Sequence, residues 1–160
     1  DHIVRNGGDA EAQQPIQRVH NDYTEASGPK RVCDLLGEEA ALYLKKRVAI
    51  VNVWRPINGP VESMPLGVIG ASTIFDDDFI ATDLIYRDRR GETYNLQFNE
   101  KHKWYYTSSM GNDEIYLLKC FDSKLDVARW TAHTGFIDAN SPTDAKPRES
   151  IETRTMVFFD

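Results

Sequence analysis

The stretch Val48-Ala49-Ile50-Val51-Asn52-Val53-Trp54 is the most strand-like in the 160-residue chain. Val48, Ile50, Val51 and Val53 are β-branched, and such side chains suit a pleated, half-buried surface better than a helix. Apolar residues fall on both faces, which predicts a strand covered on both sides. Pro56, Gly59, Pro60 and Pro65 follow and close it, since proline cannot extend a ladder. Asn52 is the polar residue in its middle and needs a hydrogen-bond partner inside the fold. Trp54, on the same face, reads as core.

Similar short runs recur downstream at Leu66–Ile69, Asp83–Tyr86, Glu92–Phe98, Lys103–Thr107, Asp113–Phe121, Val127–Ile137 and Ser150–Phe159. Upstream, Ile16–Tyr23 alternates, with Ile16, Arg18, His20 and Asp22 on one face. Asn21, Thr24, Ser27, Gly28 and Pro29 then break that pattern. One helix is predicted, capped by Asp34 and running to about Lys46, with Leu36, Ala40, Tyr43 and Leu44 as its apolar face. Its acids, Glu38 and Glu39, stand near the start and Lys45, Lys46 and Arg47 near the end, as the helix dipole favours. Many strands, one helix and frequent turns predict an all-β sandwich or barrel. Asp76-Asp77-Asp78 reads as a solvated turn, Trp104-Tyr105-Tyr106 as cross-strand packing and Cys120 as a small buried apolar residue.

Hydrophobic residues at 41% and charged residues at 28% are the proportions of a globular core, and the length suits one domain. A net charge of −6 argues against a binder that tracks nucleic-acid phosphates or an anionic membrane surface. No apolar run approaches the roughly 20 residues that span a bilayer. Two cysteines, Cys33 and Cys120, read as reduced thiols of a cytoplasmic protein. The chain opens on Asp1-His2-Ile3-Val4-Arg5, strand-like from the start and without an initiator Met, which predicts that a preceding region is missing.

Chemistry concentrates in three places. His20 and Asp22 form a His-x-Asp, a pair common by chance and most often an ordinary hydrogen bond. His133 lies 111 positions beyond Asp22, a separation that a jelly roll closes by setting distant strands side by side. Two imidazoles and a carboxylate on one face of an ion are the facial triad of non-haem Fe(II) oxygenases. Arg148 and Ser150 then present a guanidinium fork and a hydroxyl on one face, suited to the far carboxylate of 2-oxoglutarate. Arg154 shares their parity and competes for that role. Glu152 lies between the two arginines and has the alternative of neutralising one of them.

The sequence also resembles the fungal AsaB-like hydroxylase/desaturase family, which includes gibberellin desaturase and is related to a protein of cephamycin methoxylation. The likeness runs through Gln17-Arg18-Val19-His20-Asn21-Asp22, Val51-Asn52-Val53-Trp54-Arg55-Pro56-Ile57 and Gly59-Pro60-Val61-Glu62. It continues through His102-Lys103-Trp104-Tyr105-Tyr106, Lys119-Cys120-Phe121-Asp122-Ser123, His133-Thr134 and Pro147-Arg148-Glu149-Ser150-Ile151-Glu152. It implies a double-stranded β-helix (a cupin-like jelly roll), dependence on Fe(II) and 2-oxoglutarate, and oxidative tailoring of a small metabolite. His20, Asp22 and His133 match the family's iron ligands, and Arg148 with Ser150 its cosubstrate anchor. Family members carry a substantial region before the equivalent of Asp1-His2, so residues 1–160 are expected to be one oxygenase domain shortened at its N-terminus.

The leading expectation is therefore an Fe(II)/2-oxoglutarate-dependent dioxygenase that consumes O2 and hydroxylates or desaturates a small-molecule secondary metabolite. Tyr23, Asn52 and Arg129 are the candidate substrate contacts. The alternative is a non-catalytic metal- or ligand-binding jelly roll. A third option is a structural β-domain forming a homo-oligomer through a bare sheet edge.

Overall fold

The computed structural model describes residues 2–8, 13–85, 87 and 90–160. In chain order its strands are β1 (His2–Asn6), β2 (His20–Asn21), β3 (Val48–Pro56), β4 (Leu66–Ile69) and β5 (Phe79–Ile85). They continue as β6 (Arg90–Leu96), β7 (Trp104–Tyr106), β8 (Tyr116–Asp122), β9 (His133–Gly135) and β10 (Glu149–Phe158). They form two antiparallel sheets, β1-β10-β3-β8 and β5-β6-β2-β9-β4-β7. Ile50, Trp54 and Leu118 of the first pack with Leu66 and Val68 of the second around Phe121, Cys120 and Met110, so the main core lies between the sheets. This is the double-stranded β-helix expected.

Period-2 alternation decides what each strand offers the interior. In β3 the inward face is Ile50, Asn52 and Trp54, all buried, while Val51 and Val53 are half-buried and Arg55 is exposed. The expected cover is complete on the inner side, and on the other face it takes in Ala49 fully and Val51 and Val53 in part. In β10 the even positions Ser150, Glu152 and Arg154 share the face that carries Met156 to the core.

Two predicted strands are much shorter than their sequence alternation. Ile16–Tyr23 contributes only His20–Asn21 to a ladder, and Val127–Ile137 only His133–Gly135. Side chains take the backbone groups that a ladder would use. Thr131 N–H donates to Asn21 Oδ1 at 3.2 Å, and Asn21 Nδ2 donates to the carbonyls of Tyr23 and Cys120.

The helix begins earlier than predicted. It is α1 (Ser27–Leu36), then a tight turn over Gly37–Glu39, then α2 (Ala40–Tyr43). Thr24 Oγ1 accepts from the N–H groups of Ala26 and Ser27 and so starts the helix. Pro29 is tolerated because it lies in the first turn, where its missing N–H has no partner to lose. Gly37, at φ 54°, interrupts the helix after Leu36. Asp34 is therefore not a cap but a surface residue paired with Lys30 at 2.8 Å. Gly28 lets the helix approach closely: a Cβ there would lie 2.5 Å from the Phe121 ring.

Two further expectations change. Asp78 is buried rather than solvated, accepting from Phe75 N–H, Asn99 Nδ2 and His102 Nε2. Trp104, Tyr105 and Tyr106 form the edge strand of the larger sheet and stay roughly half exposed, so packing uses only part of their surface. Cys33 and Cys120 are both free thiols, and Cys120 is buried as expected.

Candidate metal centre

His20 and His133 face each other as Cα partners across β2 and β9, the point at which the two shortened strands meet. Asp22 follows β2 directly, and its Oδ1 lies 3.9 Å from His20 Nε2. One donor atom from each of His20, Asp22 and His133 falls within 4.8 Å of the others.

Both imidazoles are oriented in the same way. His20 Nδ1 bonds the Arg18 carbonyl at 2.7 Å, and His133 Nδ1 bonds the Thr131 carbonyl at 2.8 Å. A carbonyl only accepts, so Nδ1 carries the proton on each ring and Nε2 keeps its lone pair. Fixing the tautomer from outside is what a metal-binding histidine requires. Burial, reinforced by neighbouring His133, pushes the His20 imidazolium down to about 4, so the ring is neutral at pH 7. Burial pushes the Asp22 carboxyl up, but Arg154, His133, His20 and the Asn52 amide outweigh it and hold it below the usual range. Two imidazoles and one carboxylate are a donor set that fits Fe(II).

The expected anchor lies across the interior, at the start of β10. Arg148 is 3% exposed and Ser150 1%. Arg148 Nη1 donates to the Met64 carbonyl at 2.5 Å, and its guanidinium stands 5.3 Å from the Trp54 ring centre. Gly135 makes room for it, since a Cβ there would come within 3.4 Å of Nη1. Burial, with Arg5 beside it, lowers Arg148 to about 10, which leaves it cationic at neutral pH. Its Nε and the Ser150 Oγ are buried without a protein partner. Such atoms are costly to leave unpaired, and both have the chemistry to bind a carboxylate.

A cleft of about 20 Å³ contains the three donors and Arg148 together with Arg5 and Trp54. A larger cavity of about 690 Å³ shares His20, Asp22, Arg5 and Arg154 with it.

Arg154 does not point towards Ser150. Its Nη2 donates to Asp22 Oδ1 at 3.0 Å and its Nε to Glu152 Oε1 at 2.9 Å. Asn52 Nδ2 reaches the other Asp22 oxygen at 2.5 Å. Tyr23 is a buried core residue whose ring lies 5.9 Å from the Arg154 guanidinium. Arg129 stands apart from the group, paired with Glu25 at 2.6 Å and packed on Trp130, in the irregular segment that precedes β9. Arg5 was not among the residues singled out from the sequence. It is the register partner of Ser150 across β1 and β10, and its only signal was an arginine in an otherwise strand-like opening.

The fold is a jelly roll, and the two histidines and one carboxylate it brings together have the composition of a facial triad. The family model described as the oxidoreductase/YMDC permease-like domain matches residues 1–158, and the chain belongs to that family. Among the described residues no helix is long and apolar enough to cross a membrane. The curated relatives named here are fungal, as the sequence resemblance implied. Aspirochlorine biosynthesis protein N of Aspergillus oryzae is 43% identical over 82% of this chain and 56% of its own length. The Fe(II)/2-oxoglutarate-dependent dioxygenase nvfI of Aspergillus novofumigatus is 36% identical over 91% and 53%, and the hydroxylase/desaturase asaB of Aspergillus flavus 36% over 76% and 60%. Among solved structures, the iron and alpha-ketoglutarate-dependent endoperoxidase NvfI superposes with a TM-score of 0.93 at 33% identity, covering 99% of this chain and 60% of that one. The chain thus spans a little over half the length of these relatives.

Proposed function

We propose that residues 1–160 form one oxygenase domain that binds Fe(II) through His20, Asp22 and His133, uses 2-oxoglutarate and O2, and hydroxylates or desaturates a small molecule. One observation carries this reading: the three convergent donors share a cleft with Arg148, whose buried Nε, like the Ser150 Oγ, lacks a partner. When bound, iron would supply the activation of O2 that protein side chains cannot perform. The protein's part is to bind, orient and exclude water. The carbonyls of Arg18 and Thr131 aim the two imidazoles. Arg148, packed on Trp54, would hold the distal carboxylate of the cosubstrate by charge-assisted hydrogen bonds, with Ser150 donating a second bond. Arg5, which also lines the cleft, is held by a bond to the Gln14 carbonyl. The 690 Å³ cavity has the size of a small-molecule site, and the name of one relative, the aspirochlorine biosynthesis protein N, supports a metabolite as substrate.

The test is conversion of 2-oxoglutarate to succinate by the chain supplied with Fe(II) and O2, read by mass spectrometry with and without His20→Ala. Succinate formation that disappears in the variant supports the reading. Metal binding with no succinate from either protein favours the non-catalytic alternative. Two free cysteines suit a cytoplasmic setting, and the exposed aromatic edge of β7 suits a homo-oligomer.

A further inference from the structure

We infer that Arg154 and Asn52 act as a two-point clamp that holds the Asp22 carboxylate in its metal-binding orientation. The inference rests on the metal reading of His20, Asp22 and His133 and assigns Arg154 and Asn52 as positioning residues of that centre.

Asp22 lies beyond the end of β2, so no ladder fixes its side chain. Both of its oxygens are instead held from the opposite sheet. Arg154 Nη2 donates to Oδ1 and Asn52 Nδ2 to Oδ2. The two donors are Cα partners across β10 and β3, so a single rung of one sheet grips a residue of the other. Neither donor is free to turn. Arg154 is tied through Nε to Glu152 and lies over the Tyr23 ring. Asn52 is fully buried, and its Oδ1 has no partner. Turning the amide would place that oxygen against a carboxylate, so the Asn52 amide is committed to donating to Asp22 at the expense of its own acceptor.

The clamp also leaves the ligand usable. A carboxylate oxygen has two lone pairs, and Oδ1, facing His20, keeps one after accepting from Arg154. Arg154 also pairs with Glu152, a second carboxylate lining the same cleft.

The test titrates the metal-free chain with Co(II) and follows both affinity and the visible ligand-field bands. Asn52→Ala and the double variant Arg154→Met/Glu152→Gln remove the clamp; the second does so without leaving Glu152 as an unpaired charge. The expected result is a roughly 10- to 100-fold weaker Co(II) affinity with shifted bands. Arg154→Lys, which restores one donor, recovers part of the loss. Half-saturation by 2-oxoglutarate of the Co(II)-loaded double variant stays within about twofold of the parent, the scatter allowed for a residue outside the anchor. Unchanged Co(II) affinity and bands with a raised requirement for 2-oxoglutarate would overturn the clamp and make Arg154 a cosubstrate anchor. If the parent chain itself binds no Co(II), the metal reading fails first.

Discussion

His20 and His133 are direct partners across the β2–β9 ladder, their ring centres 4.5 Å apart and their planes tilted by 53°. The pairing brings together residues more than a hundred positions apart in the chain, and it is made by the backbone rather than by the rings. Removal of either ring is therefore expected to leave the fold intact and to abolish the site. His133→Ala should retain the parent's circular dichroism while its affinity for Fe(II) or Co(II) falls by at least about 100-fold. Metal binding at parental strength would show that the two rings are not ligands.

Arg148→Ala should behave in the opposite way to the clamp variants. Loss of a charge-assisted hydrogen bond is worth about 1.5–3 kcal/mol, so half-saturation by 2-oxoglutarate is expected to rise roughly 10- to 100-fold while metal affinity stays unchanged. Arg148→Lys should recover only part, since an ammonium cannot reproduce the planar fork over Trp54. Calorimetric titration of the metal-loaded variants distinguishes these outcomes.

Asp122 predicts an acid limit to stability. Burial raises its carboxyl, but the side chain of Arg47, the N–H of Lys124 and the side chain of Lys119 outweigh this and bring it down to about 2. The folded value lies below the ordinary 3.8, so the stabilisation is fully present above pH 3.8 and is lost as pH falls towards 2. A shift of this size corresponds to about 2 kcal/mol. Asp122→Asn should lose about that much at pH 7 in urea unfolding, and its difference from the parent should shrink below pH 3 or so. A difference independent of pH would contradict the assignment.

Gly28→Ala should destabilise although alanine is the better helix former. Its Cβ would meet the Phe121 ring at 2.5 Å, in the middle of the core. Overpacking of this kind costs about 1–3 kcal/mol. A variant at least as stable as the parent in urea would mean that the helix can withdraw from Phe121 without loss.

The sequence was most legible where alternation and burial agree. Val48–Trp54, Leu66–Ile69 and Ser150–Phe159 reappear as β3, β4 and β10 with small changes at their ends. It was least legible where side chains replace a ladder. Asn21 takes over the backbone groups around β2 and β9, so two alternating runs became strands of two and three residues. Asp22 lies just past the end of the shortened β2, with its Oδ1 3.9 Å from His20 Nε2. The His-x-Asp and the later histidine could be read from spacing and resemblance. Arg154 could not be separated from Arg148 in that way, since parity puts both on the same face and only the register with Asn52 directs Arg154 to Asp22. The helix start was missed because Thr24 caps from outside the helix and Pro29, a breaker elsewhere, is acceptable in its first turn.

The account is tested most directly by anaerobic titration of the metal-free chain with Fe(II) and then 2-oxoglutarate, followed by visible absorption. It predicts a metal-to-ligand charge-transfer band that requires both additions, is absent in His133→Ala and needs more 2-oxoglutarate in Arg148→Ala. A band that persists without His133, or a chain that binds no Fe(II), would contradict it.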